Sequence, residues 1–349
     1  MKSGSRIYVA GHRGLVGSAL TKALAARGFP NVLTQTRVQL DLRDPGRVLE
    51  FFRREQPEYV FLAAARVGGI RANSTHPAEF IHDNLLIQIS VIDAAHRTGT
   101  RRLIFFGSNC LYPRSCPQPM KEDAIMTGRM EPTSEAYSVA KLAGLTMCEA
   151  YNRQHGVQFL TVIPATLYGP GAHFDPETAH VLPALMRRFH EAKVQAGAPQ
   201  PALVGGLVGG LGGAELPPAQ RASAGFSPAR AKDAPPAVTV WGTGSPVREF
   251  LYVDDLADAC LFLAGLEGPL PASPINVGTG AGCSIQELAA EIASVVGFEG
   301  KVVFDSRQPD GAPRKVLDST RIRALGWSPR TPLAEGLRKT YAWFLEHRC

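Results

Sequence analysis

The chain has 349 residues, of which 45% are hydrophobic, enough to bury a large core in one two-lobed protein or in two domains. Its net charge is +6 and its basic residues are scattered, so we expect an anionic small-molecule ligand and no nucleic-acid partner. No apolar stretch approaches the roughly 18 residues that span a bilayer, and we expect no membrane association. The six cysteines form neither a CxxC pair nor a zinc spacing. We therefore expect no metal, reduced thiols and a cytoplasmic location.

Short apolar runs of β type alternate with helical periods in the first half of the chain, which predicts a parallel sheet covered on both faces. The predicted strands are Arg6–Ala10, Val32–Thr34, Tyr59–Ala63, Leu103–Gly107 and Phe159–Pro164. The predicted helices are Leu15–Arg27, Pro45–Glu55, about 80–97 and about 135–153. The last two are more apolar than one buried face requires, which is compatible with a dimer contact or with ordinary packing on the sheet.

The domain organisation follows from where this alternation ends. Residues 1–166, completed by about 250–280, are expected to form a dinucleotide-binding domain, and 167–194 with 281–349 a substrate lobe. Residues 195–237 include 26 Ala, Gly or Pro among 43, which predicts a disordered insertion before a strand at Val238–Trp241. A final helix is predicted at about Pro332–Glu346. The predicted fold class is α/β, a doubly wound parallel Rossmann sheet with a smaller C-terminal α/β lobe.

A glycine-rich turn, Gly11-x-x-Gly14-x-x-Gly17, joins the first predicted strand to the first helix. Glycines permit a tight turn and a close backbone approach, and a helix N-terminus attracts a pyrophosphate. After the second strand the sequence is Thr34-Gln-Thr-Arg37, without the carboxylate that binds the ribose 2′-hydroxyl in NAD enzymes. Arg37 with Arg13 favours a 2′-phosphate, and therefore NADPH, unless both arginines are simply solvated. The other residues expected to contact the cofactor are Leu15, Val16, Asp41, Leu42, Ala64, Ala65, Pro164 and Leu167, together with Tyr137, Lys141 and His180.

Tyr137 and Lys141 are one helical turn apart and therefore share a helix face. An ammonium group near a phenol favours the phenolate, so we expect Lys141 to lower the pKa of Tyr137 and to bind the nicotinamide ribose. Ser108 ends the fourth predicted strand, where its hydroxyl and the phenol can converge on a carbonyl oxygen. The alternative is that Tyr137 only packs in the core.

The motifs of this chain, in their order, resemble those of the extended short-chain dehydrogenase/reductase superfamily and, within it, of the GDP-L-fucose synthase family. The matching stretches cover nearly the whole chain outside the insertion. They are Ala10–Ala19, Ala63–Ile70, Gly107–Pro113, Tyr137–Lys141, Leu167–Pro170, His180–Leu185, Arg248–Phe250, Asn276–Gly280 and Pro309–Lys315.

This resemblance implies a homodimer that converts GDP-4-keto-6-deoxy-D-mannose to GDP-L-fucose with NADPH, by epimerisation at C3 and C5 and reduction at C4. It implies that Cys110 is the base and His180 the acid of the epimerisation, since a thiol and an imidazole can both be tuned to titrate near neutral pH. Ser108 and Tyr137 would hold the C4 oxygen, and Tyr137, supported by Lys141, would supply its proton. The residues expected to bind the GDP-sugar are Ser108, Cys110, Arg187, Trp241, Arg248 and Asp310.

Two other interpretations are compatible with the same fold. A nucleotide-sugar 4-epimerase or 4,6-dehydratase would favour an acidic residue after the second strand, and a dehydratase would want acids where this chain has Asn109 and Cys110. A non-catalytic NADP-sensing protein would be expected to lack Tyr137 or Lys141, and both are present.

Overall fold

The structure, a computed structural model, describes residues 1–175, 179–197, 236–308 and 310–347. The strands are β1 (Ile7–Ala10), β2 (Val32–Leu33), β3 (Tyr59–Leu62), β4 (Arg102–Phe106), β5 (Phe159–Pro164), β6 (Thr166–Tyr168), β7 (Ala237–Trp241), β8 (Val247–Arg248), β9 (Phe250–Tyr252), β10 (Ile275–Val277), β11 (Cys283–Ser284), β12 (Lys301–Asp305) and β13 (Arg314–Lys315). The helices are α1 (Leu15–Ala26), α2 (Pro45–Glu55), α3 (Ile70–Thr75), α4 (Pro77–Arg97), α5 (Glu135–His155), α6 (Val181–Gln195), α7 (Val253–Gly265), α8 (Ile285–Val296), α9 (Thr320–Ala324) and α10 (Leu333–Glu346).

A six-stranded parallel sheet with strand order β10-β5-β4-β3-β1-β2 forms the centre of the larger lobe. All four residues of β1 are buried, because helices cover both faces of the sheet. Ile7 and Val9 pack in the core beneath α1 and α7, whereas Tyr8 and Ala10 pack in the core beneath α2 and α4. The chain leaves β1 for β2 on one side and then returns to β3 on the other. In such sheets a ligand crevice opens beyond the carboxyl ends of the two strands at this reversal.

The smaller lobe is built from three short sheets and three helices around its own core. β6 pairs with β9, β7 with β12, and β8 with both β11 and β13. Apolar side chains of α6, α8 and α10 meet in that core, among them Leu182, Leu288 and Leu337. Four of the residues expected to bind the nucleotide sugar lie in this lobe: Arg187 on α6, Trp241 on β7, Arg248 on β8 and Asp310 in the loop before β13.

The α/β fold class and the first five predicted strands are confirmed to within one or two residues. Helix α4 begins at Pro77, three residues before the predicted start, because the fixed φ of proline suits the first helical position. The final helix has Pro332 as its N-cap and ends at Glu346, as predicted. Most of the predicted insertion, residues 198–235, lies outside the described residues. Within the described ranges, no helix is both long and apolar enough to cross a bilayer.

Candidate active site

The glycine turn after β1 lies at the reversal of strand order, where the sheet topology places the crevice. Gly11 has φ +85°, and a Cβ there would lie 2.7 Å from the backbone nitrogen of Ala64 at the end of β3. A Cβ on Gly17 would overlap the carbonyl oxygen of Gly11. Gly14 is the N-cap of α1, and no side chain caps the first turn of that helix. The turn therefore offers uncapped backbone N–H groups and no side-chain bulk, which fits a dinucleotide diphosphate.

Charge next to this turn fits the extra phosphate of NADP. Arg13 and Arg37 are both exposed, and the Arg37 Nε lies 3.9 Å from a carboxylate oxygen of Asp41. Asp41 is paired more closely with Arg43, at 2.7 Å, and this contact lowers its pKa to about 2. The carboxylate nearest to Arg37 is thus already neutralised by a second arginine, and a 2′-phosphate would meet a net positive surface.

Beyond β3, the backbone of the segment Ala63–Arg66 is held by a buried asparagine that sequence analysis did not single out. Asn84 on α4 is 2% exposed, and its Nδ2 donates to the carbonyl oxygens of Phe80 and Arg66 at 2.7 and 3.0 Å. Its Oδ1 accepts from the Arg66 N–H at 3.0 Å. The small residues Ala64 and Ala65, predicted to lie against the cofactor, are half-buried on this fixed segment. A single asparagine in an apolar helix carries no sequence signal for such a contact.

The other residues predicted to contact the cofactor lie on the elements around this crevice. Leu15 and Val16 are half-buried in the first turn of α1, Leu42 is buried, Pro164 ends β5, and Leu167 is half-buried in β6. These residues therefore lie around the crevice at the carboxyl ends of β1 and β3, where the strand order reverses, and at the ends of neighbouring strands.

Three of the predicted catalytic residues come together at the carboxyl end of β4. Ser108 caps the 3₁₀ turn Asn109–Leu111, and its Oγ accepts from the Cys110 N–H at 3.2 Å. The Ser108 hydroxyl and the Cys110 thiol both lie near enough to the Tyr137 phenol to affect its ionisation. The structure therefore brings a hydroxyl, a phenol and a thiol into one cluster, although they come from two distant segments of the chain.

The ionisation of Tyr137 differs from the sequence prediction. Burial raises its pKa well above the ordinary value, with the Cys110 charge as a smaller contribution in the same direction, although the side chain keeps some exposed surface. Lys141, 3% exposed, donates instead to the Phe106 carbonyl oxygen at 2.8 Å, and burial lowers its own pKa to about 7. The expected lowering of the Tyr137 pKa is thus wrong, because two groups in an apolar site both favour their neutral forms. At neutral pH Tyr137 is a protonated phenol, a form that can donate a proton.

His180 lies in the smaller lobe, as the N-cap of α6. Its side chain is exposed to solvent, yet many protein atoms surround the ring. This partial desolvation lowers the pKa of His180. Among the described residues, no hydrogen bond joins it to Cys110 or Tyr137. Because its pKa is lowered, the neutral imidazole predominates near pH 7 and only a minor fraction carries the proton that an acid would donate.

Four of the predicted substrate residues lie in the smaller lobe, apart from Ser108 and Cys110 at the end of β4. Arg248 donates to the carbonyl oxygen of Ala312 at 2.7 Å and lies near the Asp310 carboxylate, which accepts from Thr243 at 2.7 Å. Arg187 stands apart on α6, paired with Glu191 at 2.6 Å, and Trp241 at the end of β7 is 66% exposed. Pro309, part of the matched stretch beside Asp310, lies outside the described residues.

A doubly wound sheet with a glycine turn at its switch point and a Ser–Tyr–Lys set at the adjacent strand ends defines a dinucleotide-dependent enzyme. The chain belongs to the NAD dependent epimerase/dehydratase family, which it matches over residues 7–209 and 212–278.

Several relatives with known names show which members of this family the chain is similar to. The chain is 48% identical to a probable GDP-L-fucose synthase 1 of Oryza sativa subsp. japonica, with 99% of this chain and 93% of that protein covered. It is 44% identical to the GDP-L-fucose synthase of Escherichia coli (strain K12), covering 99% of this chain and 98% of the relative. Among solved structures, it superposes on MlghC, a GDP-mannoheptose C4 reductase from Campylobacter jejuni with NADP bound, with a TM-score of 0.81, 34% identity and 99% of each chain covered. The family resemblance inferred from the motifs is confirmed.

Proposed function

We propose that this chain catalyses the NADPH-dependent conversion of GDP-4-keto-6-deoxy-D-mannose to GDP-L-fucose. The observation that carries the proposal is the Cys110 thiol beside the Ser108 and Tyr137 hydroxyls. A ketone reductase needs only the hydroxyl pair, whereas a base beside that pair allows carbon acids next to the ketone to be deprotonated. Relatives that are 41–48% identical over nearly the full chain carry the name GDP-L-fucose synthase.

Epimerisation uses the acidity that the C4 ketone gives to the neighbouring C–H bonds. Cys110, as thiolate, removes the proton from C3 or from C5, and the electron pair moves onto the C4 oxygen as an enolate. The Ser108 and Tyr137 hydroxyls stabilise that oxygen by hydrogen bonding. Protonated His180 returns a proton to the opposite face, which inverts the centre. Cys110 then releases its proton to solvent and His180 takes one up from solvent, so the same sequence can invert the other centre.

Reduction uses the same oxygen site. When bound, NADPH supplies the hydride that reduces C4. Tyr137 donates its phenolic proton to the C4 oxygen, and its raised pKa keeps that proton available at neutral pH. Lys141, whose lowered pKa lies near 7, can lose or accept a proton at working pH and thereby supports the reprotonation of Tyr137.

The chain's own residues fit both ligands. The Gly11–Gly17 turn and the uncapped start of α1 would hold the diphosphate of the cofactor, and Arg13 with Arg37 its 2′-phosphate. Arg248 and Arg187 are the cations proposed for the GDP diphosphate, since a guanidinium pairs bidentately with phosphate oxygens.

A homodimer is proposed from the outer face of α5. This face carries an apolar patch formed by Val139, Leu142, Ala143, Thr146, Met147 and Ala150. Val139 is 41% exposed, and Ile89 on the neighbouring helix α4 is 46% exposed. A second copy of the chain would cover this patch through the same two helices, as expected from their apolar sequences.

The described cysteines are free thiols, which fits the proposed cytosolic location.

The test is an assay of the purified protein with GDP-4-keto-6-deoxy-mannose and NADPH, with the sugar product identified by NMR. The wild type is expected to form GDP-fucose. Cys110→Ser is expected to keep oxidising NADPH but to lower the yield of epimerised product by about 100-fold or more, since a general base contributes that order of rate. A matched control is Cys283→Ser, a half-buried thiol of the smaller lobe, which should leave the product unchanged.

Two results would contradict the proposal. A wild type that oxidises no NADPH with this ketone would leave only the family assignment. A wild type that reduces the ketone without inverting C3 and C5 would make it a simple C4 reductase, the activity named for the Campylobacter structure.

A further inference from the structure

A buried tyrosine follows the thiol turn and ties it to the far edge of the sheet. Tyr112 comes two residues after Cys110 and is 1% exposed. Its hydroxyl donates to the Oδ1 of Asn276 at 2.6 Å. Asn276, on the edge strand β10, is 0% exposed and lies 164 residues away in sequence. Neither residue has a part in the mechanism derived above.

Hydrogen bonds of its side chain and of its backbone hold Asn276 in place. Its Nδ2 donates to the carbonyl oxygens of Met120 and Asp318, both at 3.0 Å. Its backbone N–H donates at 2.9 Å to Glu122, which is paired in turn with Arg321 at 3.3 Å. With its donors and Oδ1 all engaged, Asn276 offers the Tyr112 hydroxyl a rigid acceptor.

The two ends of the thiol turn are held by different means. Ser108 follows β4 directly, and the Gly107 N–H donates to Val162 in the neighbouring strand at 2.9 Å, so the sheet fixes this end. The other end, after Cys110, passes into a long irregular loop, and there the Tyr112 hydroxyl supplies a hydrogen bond to the sheet. Loosening Tyr112 should therefore shift Cys110 more than Ser108.

We propose that Tyr112 is a positioning residue whose hydrogen bond to Asn276 sets the Cys110 thiol for proton removal, while reduction at C4 depends on it much less. The inference rests on the proposed function and deepens it, since it separates the support of the two half-reactions. Tyr112 acts only through the turn, and its hydroxyl is already committed to Asn276.

The test is Tyr112→Phe, which removes one oxygen from a fully buried site. In D2O, each epimerised centre acquires a deuteron, so NMR of the product counts epimerisation separately from NADPH oxidation. The ratio of epimerised to unepimerised product is expected to fall by about tenfold, the effect of losing roughly one buried hydrogen bond, with NADPH oxidation within about twofold of wild type. The matched control is Tyr168→Phe, also 1% exposed and bonded to a backbone carbonyl, in the core of the smaller lobe.

Equal losses in epimerisation and reduction, or an unchanged product ratio, would overturn the inference. The alkylation rate of Cys110 by iodoacetamide, followed by peptide mass spectrometry, needs no substrate. Tyr112→Phe is expected to change it severalfold and Tyr168→Phe to leave it unchanged. If the wild type did not turn over the ketone, the proposed function would fail while the alkylation rates still decided the role of Tyr112. An unchanged alkylation rate in Tyr112→Phe would reject that role.

Discussion

Burial decides the protonation of the two residues at the centre of the site. Tyr137 and Lys141 have opposite charges when ionised, and their spacing alone suggests a phenolate beside an ammonium. In the folded chain the apolar surroundings shift both pKa values toward the neutral pair, and the Phe106 carbonyl takes the lysine N–H. The phenol is consequently a proton donor at neutral pH, as the reduction of a ketone requires.

The Lys141 shift makes a prediction for stability. Its pKa is about 7 in the folded chain against an ordinary 10.5, so between these values the unfolded chain binds a proton that the folded chain does not. The lowered pKa therefore destabilises the folded chain. This destabilisation is absent above about pH 10.5, grows as the pH falls and is complete below about pH 7, and the free energy of unfolding changes by up to about 1.4 kcal/mol per pH unit between these values. The unfolding free energy of wild type relative to Lys141→Met should thus rise between pH 7 and 10 in urea titrations.

Replacing the buried Tyr8 is expected to stabilise the chain, whereas most core substitutions destabilise a protein. Its side chain is 0% exposed in β1, and its hydroxyl has no hydrogen-bond partner among the described residues. Burial of that group without a partner is unfavourable, so Tyr8→Phe should raise the free energy of unfolding by about 1 kcal/mol. Urea denaturation beside Tyr112→Phe provides the comparison, since that variant loses a hydrogen bond and should be less stable than wild type. A large loss of stability in Tyr8→Phe would show that the hydroxyl has a partner.

At the level of single elements, helix α5 has two different faces, one packed against the sheet and one on the outside. Tyr137 and Lys141 point toward β4, where Gly144 permits close packing, since a Cβ there would lie 2.5 Å from Phe105. Val139 and Met147 lie on the outer face, in the apolar patch. The helix must therefore be positioned accurately against the sheet, and glycine allows that close contact.

Helix α7 depends on one buried cation for its C-terminal end. Arg102, 3% exposed at the start of β4, donates to the carbonyl oxygens of Ala264 and Leu266 at 2.9 and 2.7 Å and to that of Gly268. These carbonyls have no intrahelical donors. Arg102→Met should lower the free energy of unfolding by about 2–4 kcal/mol, measured in urea. Arg101→Met, its exposed neighbour, should change stability by no more than about 0.5 kcal/mol, and equal effects would argue against the capping role.

At the scale of the whole molecule, the apolar face of α5 predicts the oligomeric state. Placing a charge in that face should be costly only if a second copy covers it. Val139→Lys is expected to convert a dimer to a monomer in sedimentation velocity while NADPH binding is retained. Val194→Lys, at a valine of similar exposure on α6, should leave the dimer intact. A wild type that sediments as a monomer would contradict the proposal directly.

Features that depend on local spacing could be predicted from the sequence alone. The alternation of strands and helices, the Gly11–Gly17 turn and the four-residue spacing of Tyr137 and Lys141 can be recognised because their period matches backbone geometry. The motif order was sufficient to indicate the family. Cys110 and His180 were selected only through that resemblance, because neither carries a spacing signal of its own.

Which buried groups meet, and which of them are charged, depends on contacts between segments that are distant in sequence. The contact of Tyr112 with Asn276 joins residues 164 positions apart, and the one of Asn84 with the Arg66 backbone depends on how α4 packs beside β3. Tyr137 keeps its proton and Lys141 titrates near neutral pH because the fold removes both from water, a property of the assembled core and not of any segment. Local spacing fixes the residues that an element presents, whereas burial and long-range hydrogen bonds fix their protonation and orientation.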